Sequence, residues 1–216
     1  MILRDIPCDR RNYGGRRASP VEYLVVHYTA VPGDTAENEG RYFARNDTGK
    51  TSAHYFVDER EAVRSVPEDF VAWHCGGREY FHDHCRNGNS IGIEICTKGE
   101  PGDYRFDPRA LHNAQTLLRQ LMAKYQVPPE RVLRHYDVTR KLCPMPFVGQ
   151  GQKDWETFKG GLKMYQKTEQ LPDWAKETVQ KLVDRDALQG DGEGNLNLSE
   201  DMVRILVILD RMGTLK

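Results

Sequence analysis

No run of apolar residues in this chain approaches the ~18 that a membrane-spanning helix needs. The longest, Ile205–Leu209, suits one face of a helix and nothing more. The amino terminus, MILRDIPCDRRNYGGRR, is charged early and lacks the apolar stretch of a secretory signal. These lacks predict a protein made in the cytoplasm without a signal peptide and with no membrane partner. Charge of one sign is missing too. The 31 Lys and Arg against 32 Asp and Glu leave a formal net charge of −1, so no basic field argues for nucleic acid. The five cysteines, at 8, 75, 85, 96 and 143, are odd in number and match no small secreted scaffold. That pattern points to folding in a reducing compartment, with at least one thiol kept for chemistry or for a metal.

What is present is an ordinary globular composition, 38% apolar and 29% charged over 216 residues, enough for one domain plus a small addition. Residues 21–28 (VEYLVVHY) read as a buried strand ending in His27, and Thr35–Asn46 as the first helix. Residues 53–57 and 62–66 read as a hairpin. In SIGIEIC (90–96) the isoleucines alternate with Gly92 and Glu94, which places Glu94 on the face opposite the isoleucines. Asp107–Tyr125 is the clearest helix, with an Asp cap, Pro108 in its first turn and a leucine stripe. A short strand at 131–133 delivers His135, a Pro-broken loop (KLCPMPF) follows, and Asp154–Tyr165 is expected to be helical. Beyond a linker near 165–171, Pro172–Val183 and Ser199–Met212 are predicted to be helices, joined across a GDGEGN turn. The predicted domains are therefore 1–165 and 172–216.

His27, the HYD of 135–137 and the KLCP of 141–144 together contain two imidazoles and a thiol. Zinc takes N and S ligands tetrahedrally, and a catalytic site keeps three protein ligands and an open fourth position. Spacing alone leaves a second account open, in which His27 is simply hydrogen-bonded and Cys143 is an inert buried thiol. The segment WHCGGREYFHDHC (73–85) likewise invites a second zinc site, although its C-x9-C spacing does not match a compact zinc knuckle.

The flanking residues sharpen this. VVHYTA (25–30), SAHYFVDE (52–59), AWHCGG (72–77), NSIGIEIC (89–96) and RHYDVTRKLCP (134–144) fall in the order of the zinc N-acetylmuramoyl-L-alanine amidases. This is the amidase type 2 family, shared by phage endolysins, prophage lysins and peptidoglycan recognition proteins, and the chain resembles it over roughly residues 20–160. The resemblance implies an α/β fold, a mixed central β-sheet flanked by helices, with a groove over the strand ends. It implies Zn2+ held by His27, His135 and Cys143, with Glu94 as catalytic acid and base and Lys141 stabilising the oxyanion. The cysteine ligand resembles the lysin branch, whereas recycling amidases of similar fold place an aspartate there. Some relatives carry a tyrosine where this chain has Ala53, which puts more weight on Glu94. His54, Trp73 and His74 are expected on the substrate side of the groove, and Asp137 is expected to orient a ligand or the loop, or to cap its turn.

The implied function is peptidoglycan hydrolysis at the amide between N-acetylmuramic acid and L-alanine. A phage or prophage endolysin would act on the wall after release from the cytoplasm. The alternatives are a bacterial autolysin or sporulation amidase, a non-catalytic peptidoglycan-binding protein, and a regulator that binds another protein. The C-terminal helices resemble the small modules at the ends of some lysins and imply wall attachment or a homodimer, because a hairpin of this length has little core of its own. The face Val203, Leu206, Val207, Leu209 is expected to pack on something. DGEGNLNLSED superficially resembles a calcium loop, but Leu196 and Met202 occupy the positions of the required Gly and Glu.

Overall fold

A computed structural model of the chain describes residues 1–192 and 194–215. Two compact units divide it, Met1–Glu156 and Thr157–Lys216. Among the described residues no helix is long and apolar enough to cross a membrane.

The first unit runs β1 (Ile2–Asp5), β2 (Tyr13–Arg16), β3 (Tyr23–Tyr28), α1 (Ala36–Arg45), β4 (Tyr55–Val57), β5 (Glu61–Arg64), β6 (Phe70–Ala72), β7 (Ser90–Ile95), β8 (Thr97–Lys98), β9 (Arg105–Phe106), α2 (Pro108–Tyr125), β10 (Val132–Arg134) and α3 (His135–Thr139). A further helix, α4 (Gln152–Gly160), crosses into the second unit. Six strands form the central sheet in the order β1-β5-β4-β7-β3-β10. All neighbours are parallel except β4 and β5, the antiparallel hairpin expected from residues 53–66. The sheet is mixed and flanked by helices, as the sequence implied. β2 and β6 pair separately, as do β8 and β9.

The sheet's two faces follow the alternation of β7. Ile91, Ile93 and Ile95 are fully buried on one side, each worth ~1.5–3 kcal/mol when removed from water. Helix α2 packs on the strands from that side with Leu117, Leu118 and Leu121. Its start is held by the Asp107 carboxylate, which accepts from the Arg109 N–H, and its end by Gln126 in a left-handed conformation. The other face carries Val25, His27, Gly92, Glu94 and Cys96. There Ala36 of α1 packs with Phe56, Val63 and Cys96, and Val138 of α3 packs with Tyr23 and Val25.

The second unit adds β11 (Met164–Tyr165), α5 (Asp173–Asp184), β12 (Leu198–Ser199) and α6 (Glu200–Arg211). The α4 helix stops at Gly160 rather than reaching 165, and Tyr165 instead pairs with Leu198 in a two-stranded ribbon. The 165–171 stretch expected as a linker is tied in, since Tyr165 and Leu171 join Ala175, Val179, Leu198, Val203 and Val207 in a core. The Val203 and Val207 face is thus satisfied inside the unit. A different stripe of α6, Met202, Ile205 and Ile208, is exposed along with Met212 just past its end. Ser199 caps α6, and Asp191 accepts hydrogen bonds from Asn195 and Asn197 across the turn, whose Glu193 lies outside the described residues.

Candidate metal centre

Three adjacent parallel strands, β7, β3 and β10, bring their carboxyl ends to one edge of the sheet, where α/β proteins bind ligands. His27 lies one residue before the end of β3. His135 follows β10 directly as the first residue of α3. Glu94 is the register partner of His27, so both side chains stand on the same face. Cys143 comes from the loop after α3, its carbonyl accepting from the Tyr136 N–H at 2.8 Å. His27, His135 and Cys143 are buried, and their donor atoms all lie within 4.8 Å of one another.

The hydrogen-bond network determines which atoms those are. Ser90 Oγ donates to the Arg86 carbonyl at 2.7 Å, so it accepts from His74 Nε2 at 3.2 Å. His74 Nδ1 is then an acceptor and takes the proton of His27 Nε2 at 3.0 Å. His27 Nδ1 is left with its lone pair facing Cys143 Sγ at 3.6 Å. His135 Nε2 lies 3.1 Å from the Gly76 carbonyl, which only accepts, so this nitrogen donates and Nδ1 keeps its lone pair. That Nδ1 is buried with no partner. Two imidazole lone pairs and a sulfur, one of them an orphan in the protein interior, fit a tetrahedral zinc ion, whose N and S ligands stand ~3.5 Å apart.

The electrostatics agree with a cation-binding site. Burial, then the neighbouring His135, His74 and Lys141, holds His27 neutral far below its usual range. Burial and Lys141 lower His135 to about 4. Burial raises the Cys143 thiol, with Glu94 adding to the rise. Glu94 is pushed up to about 8 by burial, opposed only by Lys141, and its Oε2 has no hydrogen-bond partner. Lys141 itself is exposed and close enough to bear on all four groups.

The residues expected to line the groove divide differently. His54 is fully buried, Nδ1 accepting from the Gly92 N–H and Nε2 donating to the Phe70 carbonyl, so neither nitrogen is left for a substrate. Burial lowers it to about 3. His74 is likewise spent, as the partner of His27. Its ring occupies the space where any side chain at position 92 would begin, with a built Cβ only 2.4 Å from His74 Cγ. Trp73 is half-buried with its indole nitrogen against Gly14. Asp137 caps its turn, its Oδ2 accepting from the Arg134 N–H at 2.8 Å. Both its oxygens bind Arg134, whose buried guanidinium also donates to the Phe147 carbonyl and to Gln152, fastening the loop that carries Cys143. In the 73–85 segment, His82 Nδ1 accepts from the backbone of His84 and Cys85 and builds a turn. Among the described residues the His27, His135, Cys143 group is the one cluster with metal-binding geometry.

Sequence reasoning missed Arg134, Gly76 and Ser90. Arg134 had a usable signal, its i,i+3 spacing from Asp137; the Gly76 carbonyl and Ser90 hydroxyl had none. Just beyond β3, a cavity of about 750 Å³ is lined by Thr29, Val31, Asp34, Asn38, Glu39 and Tyr42 among others. Burial and a hydrogen bond with Asp34 raise Glu39 to about 9.

Residues 17–146 match the family described as N-acetylmuramoyl-L-alanine amidase. Among curated relatives, the amidase CwlL of Bacillus licheniformis is 37% identical over 144 residues, covering 62% of this chain and 39% of its own length. XlyA of Bacillus subtilis is 34% identical over 166 residues, covering 74% and 50%. The chain thus spans about half the length of the curated relatives it matches. Among solved structures, a mutant endolysin from Bacillus subtilis superposes with TM-score 0.62 at 31% identity, covering 76% of this chain and 100% of that one. The catalytic domain of XlyA gives the same score at 29% identity with the same coverage.

Proposed function

The chain belongs to the N-acetylmuramoyl-L-alanine amidase family, and from that premise we propose that it hydrolyses the amide between N-acetylmuramic acid and L-alanine in peptidoglycan. The single observation carrying this reading is the pair of orphaned buried acceptors, His135 Nδ1 and Glu94 Oε2, beside the His27 and Cys143 donor atoms. His27 and His135 through Nδ1, with Cys143 through Sγ, would hold Zn2+. Bound there, zinc would polarise the scissile carbonyl and acidify a water.

The protein's own groups do the rest. His74 and the Gly76 carbonyl fix the histidine tautomers and ring planes. Glu94 takes a proton from the attacking water and returns it to the L-alanine nitrogen as that leaves; a carboxyl at about 8 exchanges protons near neutrality. Lys141 faces the charge that builds on the carbonyl oxygen. The cavity beside β3 offers room for the peptide that follows the scissile bond.

We assign the protein a lysin role, made in the cytoplasm and acting on the wall after release, in keeping with the endolysin it superposes on. The second unit is read as a homodimerisation module. Its exposed stripe of Met202, Ile205 and Ile208 is flanked by Glu200 and Asp201 at the start of α6 and Arg211 at its end, which are complementary in an antiparallel pair. A dimer by light scattering that becomes a monomer on Ile205→Glu supports this; a monomeric wild type refutes it.

Purified cell walls test the activity. New L-alanine amino termini should appear with the protein, vanish with a chelator and return with zinc. Clearing without those termini would mean another bond is cut, and binding without clearing would favour a non-catalytic wall-binding protein.

A further inference from the structure

The tripeptide His74-Cys75-Gly76 supports both candidate metal-binding histidines at once. Residue 74 receives the proton of His27, and the carbonyl of residue 76 receives that of His135. Between them, Cys75 turns its side chain inward and is fully buried. Its thiol donates to Asn87 Oδ1 at 3.2 Å and packs in one buried cluster with the thiol of Cys85. Cys85 is fully buried in the same small cluster, with Tyr23, Val25 and Val138.

The chain between the two cysteines, residues 76–84, lies almost wholly on the surface. Cys75 and Cys85 are thus the two feet of an exposed loop, their side chains buried in one cluster at its base. The remaining cysteines, 8, 96 and 143, are buried as free thiols and belong to other surroundings. Nothing in the reaction proposed above uses Cys75 or Cys85.

We propose that Cys75 and Cys85 form a redox modification site, closing to an intramolecular disulfide that staples the support of the metal histidines. The oxidant is a low-molecular-weight disulfide of the glutathione type. One protein thiolate attacks a sulfur of that disulfide, its S–S bond breaks, and one small thiol leaves with a proton. The second protein thiolate then attacks the mixed disulfide at the first protein sulfur and expels the other small thiol. Two electrons and two protons pass from the cysteine pair to the oxidant, giving one protein disulfide and two small thiols. The base of the loop is reached when its exposed residues open locally, an event of low cost in a segment with few buried contacts.

Closing a loop of this length removes freedom chiefly from the unfolded chain, and a gain of ~5–10 °C in melting temperature follows for a protein of this size. Because Cys75 is flanked by the residues that hold His27 and His135, the closed form should also release zinc to a competing chelator several-fold more slowly. That second effect rests on the zinc reading above; the cross-link itself does not.

The test takes the full chain as purified, exposes it to oxidised glutathione, blocks remaining thiols under denaturing conditions and digests it for mass spectrometry. The expected result is a cross-linked peptide joining Cys75 to Cys85, lighter by two hydrogens, with the higher melting temperature. A stable mixed disulfide, or a cross-link to Cys8, Cys96 or Cys143 in its place, overturns the proposal. The cross-link with an unmoved melting temperature overturns the stapling. A staple on a protein that binds no zinc leaves the modification site standing and removes the metal reading instead. Cys85→Ala should abolish both the cross-link and the temperature gain. Should that variant fail to fold, the wild-type mass measurement decides alone.

Discussion

Gly92→Ala concentrates the reasoning on one methyl group. Gly92 sits in β7 with ordinary strand geometry, so the substitution carries no backbone penalty of its own. The new Cβ would lie 2.4 Å from His74 Cγ and 2.7 Å from His74 Nδ1. Carbon atoms pack at ~3.5–4.0 Å, so the ring must retreat by about 1 Å. That stretches the 3.0 Å bond between His27 Nε2 and His74 Nδ1 beyond hydrogen-bonding range. Overpacking costs ~1–3 kcal/mol and the lost bond ~0.5–1.5 kcal/mol, a fall of ~3–18 °C in melting temperature. Loss of a partner that orients a metal ligand weakens the metal by ~10–100-fold. The assays are a thermal melt and competition for zinc with a chromogenic chelator. The effect should also depend on His74: in a His74→Ala background the added methyl meets open space and costs almost nothing further. A Gly92→Ala protein with wild-type melting and zinc affinity would refute the account of how His27 is held.

Three further predictions follow from the same residues. Glu94→Gln should keep its zinc and its fold yet lose ~10²–10⁴ in turnover, read as the rate of new amino termini from cell walls. The same variant checks the buried carboxyl. With its folded value raised from 4.5 to about 8, Glu94 stabilises the metal-free protein at low pH, and that contribution is lost as pH rises through 8; Glu94→Gln should flatten this part of a melting-temperature profile. Zinc affinity should rise roughly tenfold per pH unit between about 6 and 8, because the Cys143 proton must leave while the histidines are already neutral; calorimetry in buffers of different ionisation heat would show the released proton. Arg134→Met should cost ~3 kcal/mol in a denaturant melt by removing the guanidinium that pairs with the Asp137 carboxylate and donates to the Phe147 carbonyl, and should weaken zinc through Cys143.

Much of the sheet was legible because its strands are buried and short. YLVVHY and SIGIEI carry the apolar runs and alternation that a parallel interior strand requires, and they pair side by side. The exposed edge strand Ile2–Asp5 has no buried face, so nothing in its pattern marks it. The one-turn helix at His135 is too short to announce itself. At the site, His27, His135 and Cys143 sit at strand ends and in a Pro-rich loop, where flanking motifs make them visible. The roles of His54 and His74 were not legible. Both depend on which nitrogen meets which backbone or side-chain group, at separations of 16 to 47 residues in sequence. His54 is closed off by Gly92 and Phe70, and His74 became a support only because Gly92 leaves room for its ring. On α6, periodicity identified an apolar helix, but only packing against α5 separated the spent face, Val203 and Val207, from the exposed one at Ile205.

X-ray absorption at the zinc edge of the loaded protein tests the central claim most directly. Two imidazole nitrogens at ~2.0–2.1 Å and a single sulfur at ~2.3 Å are expected, with the sulfur shell lost in Cys143→Ser. A spectrum with no sulfur or with two, or one unchanged by that substitution, would contradict it.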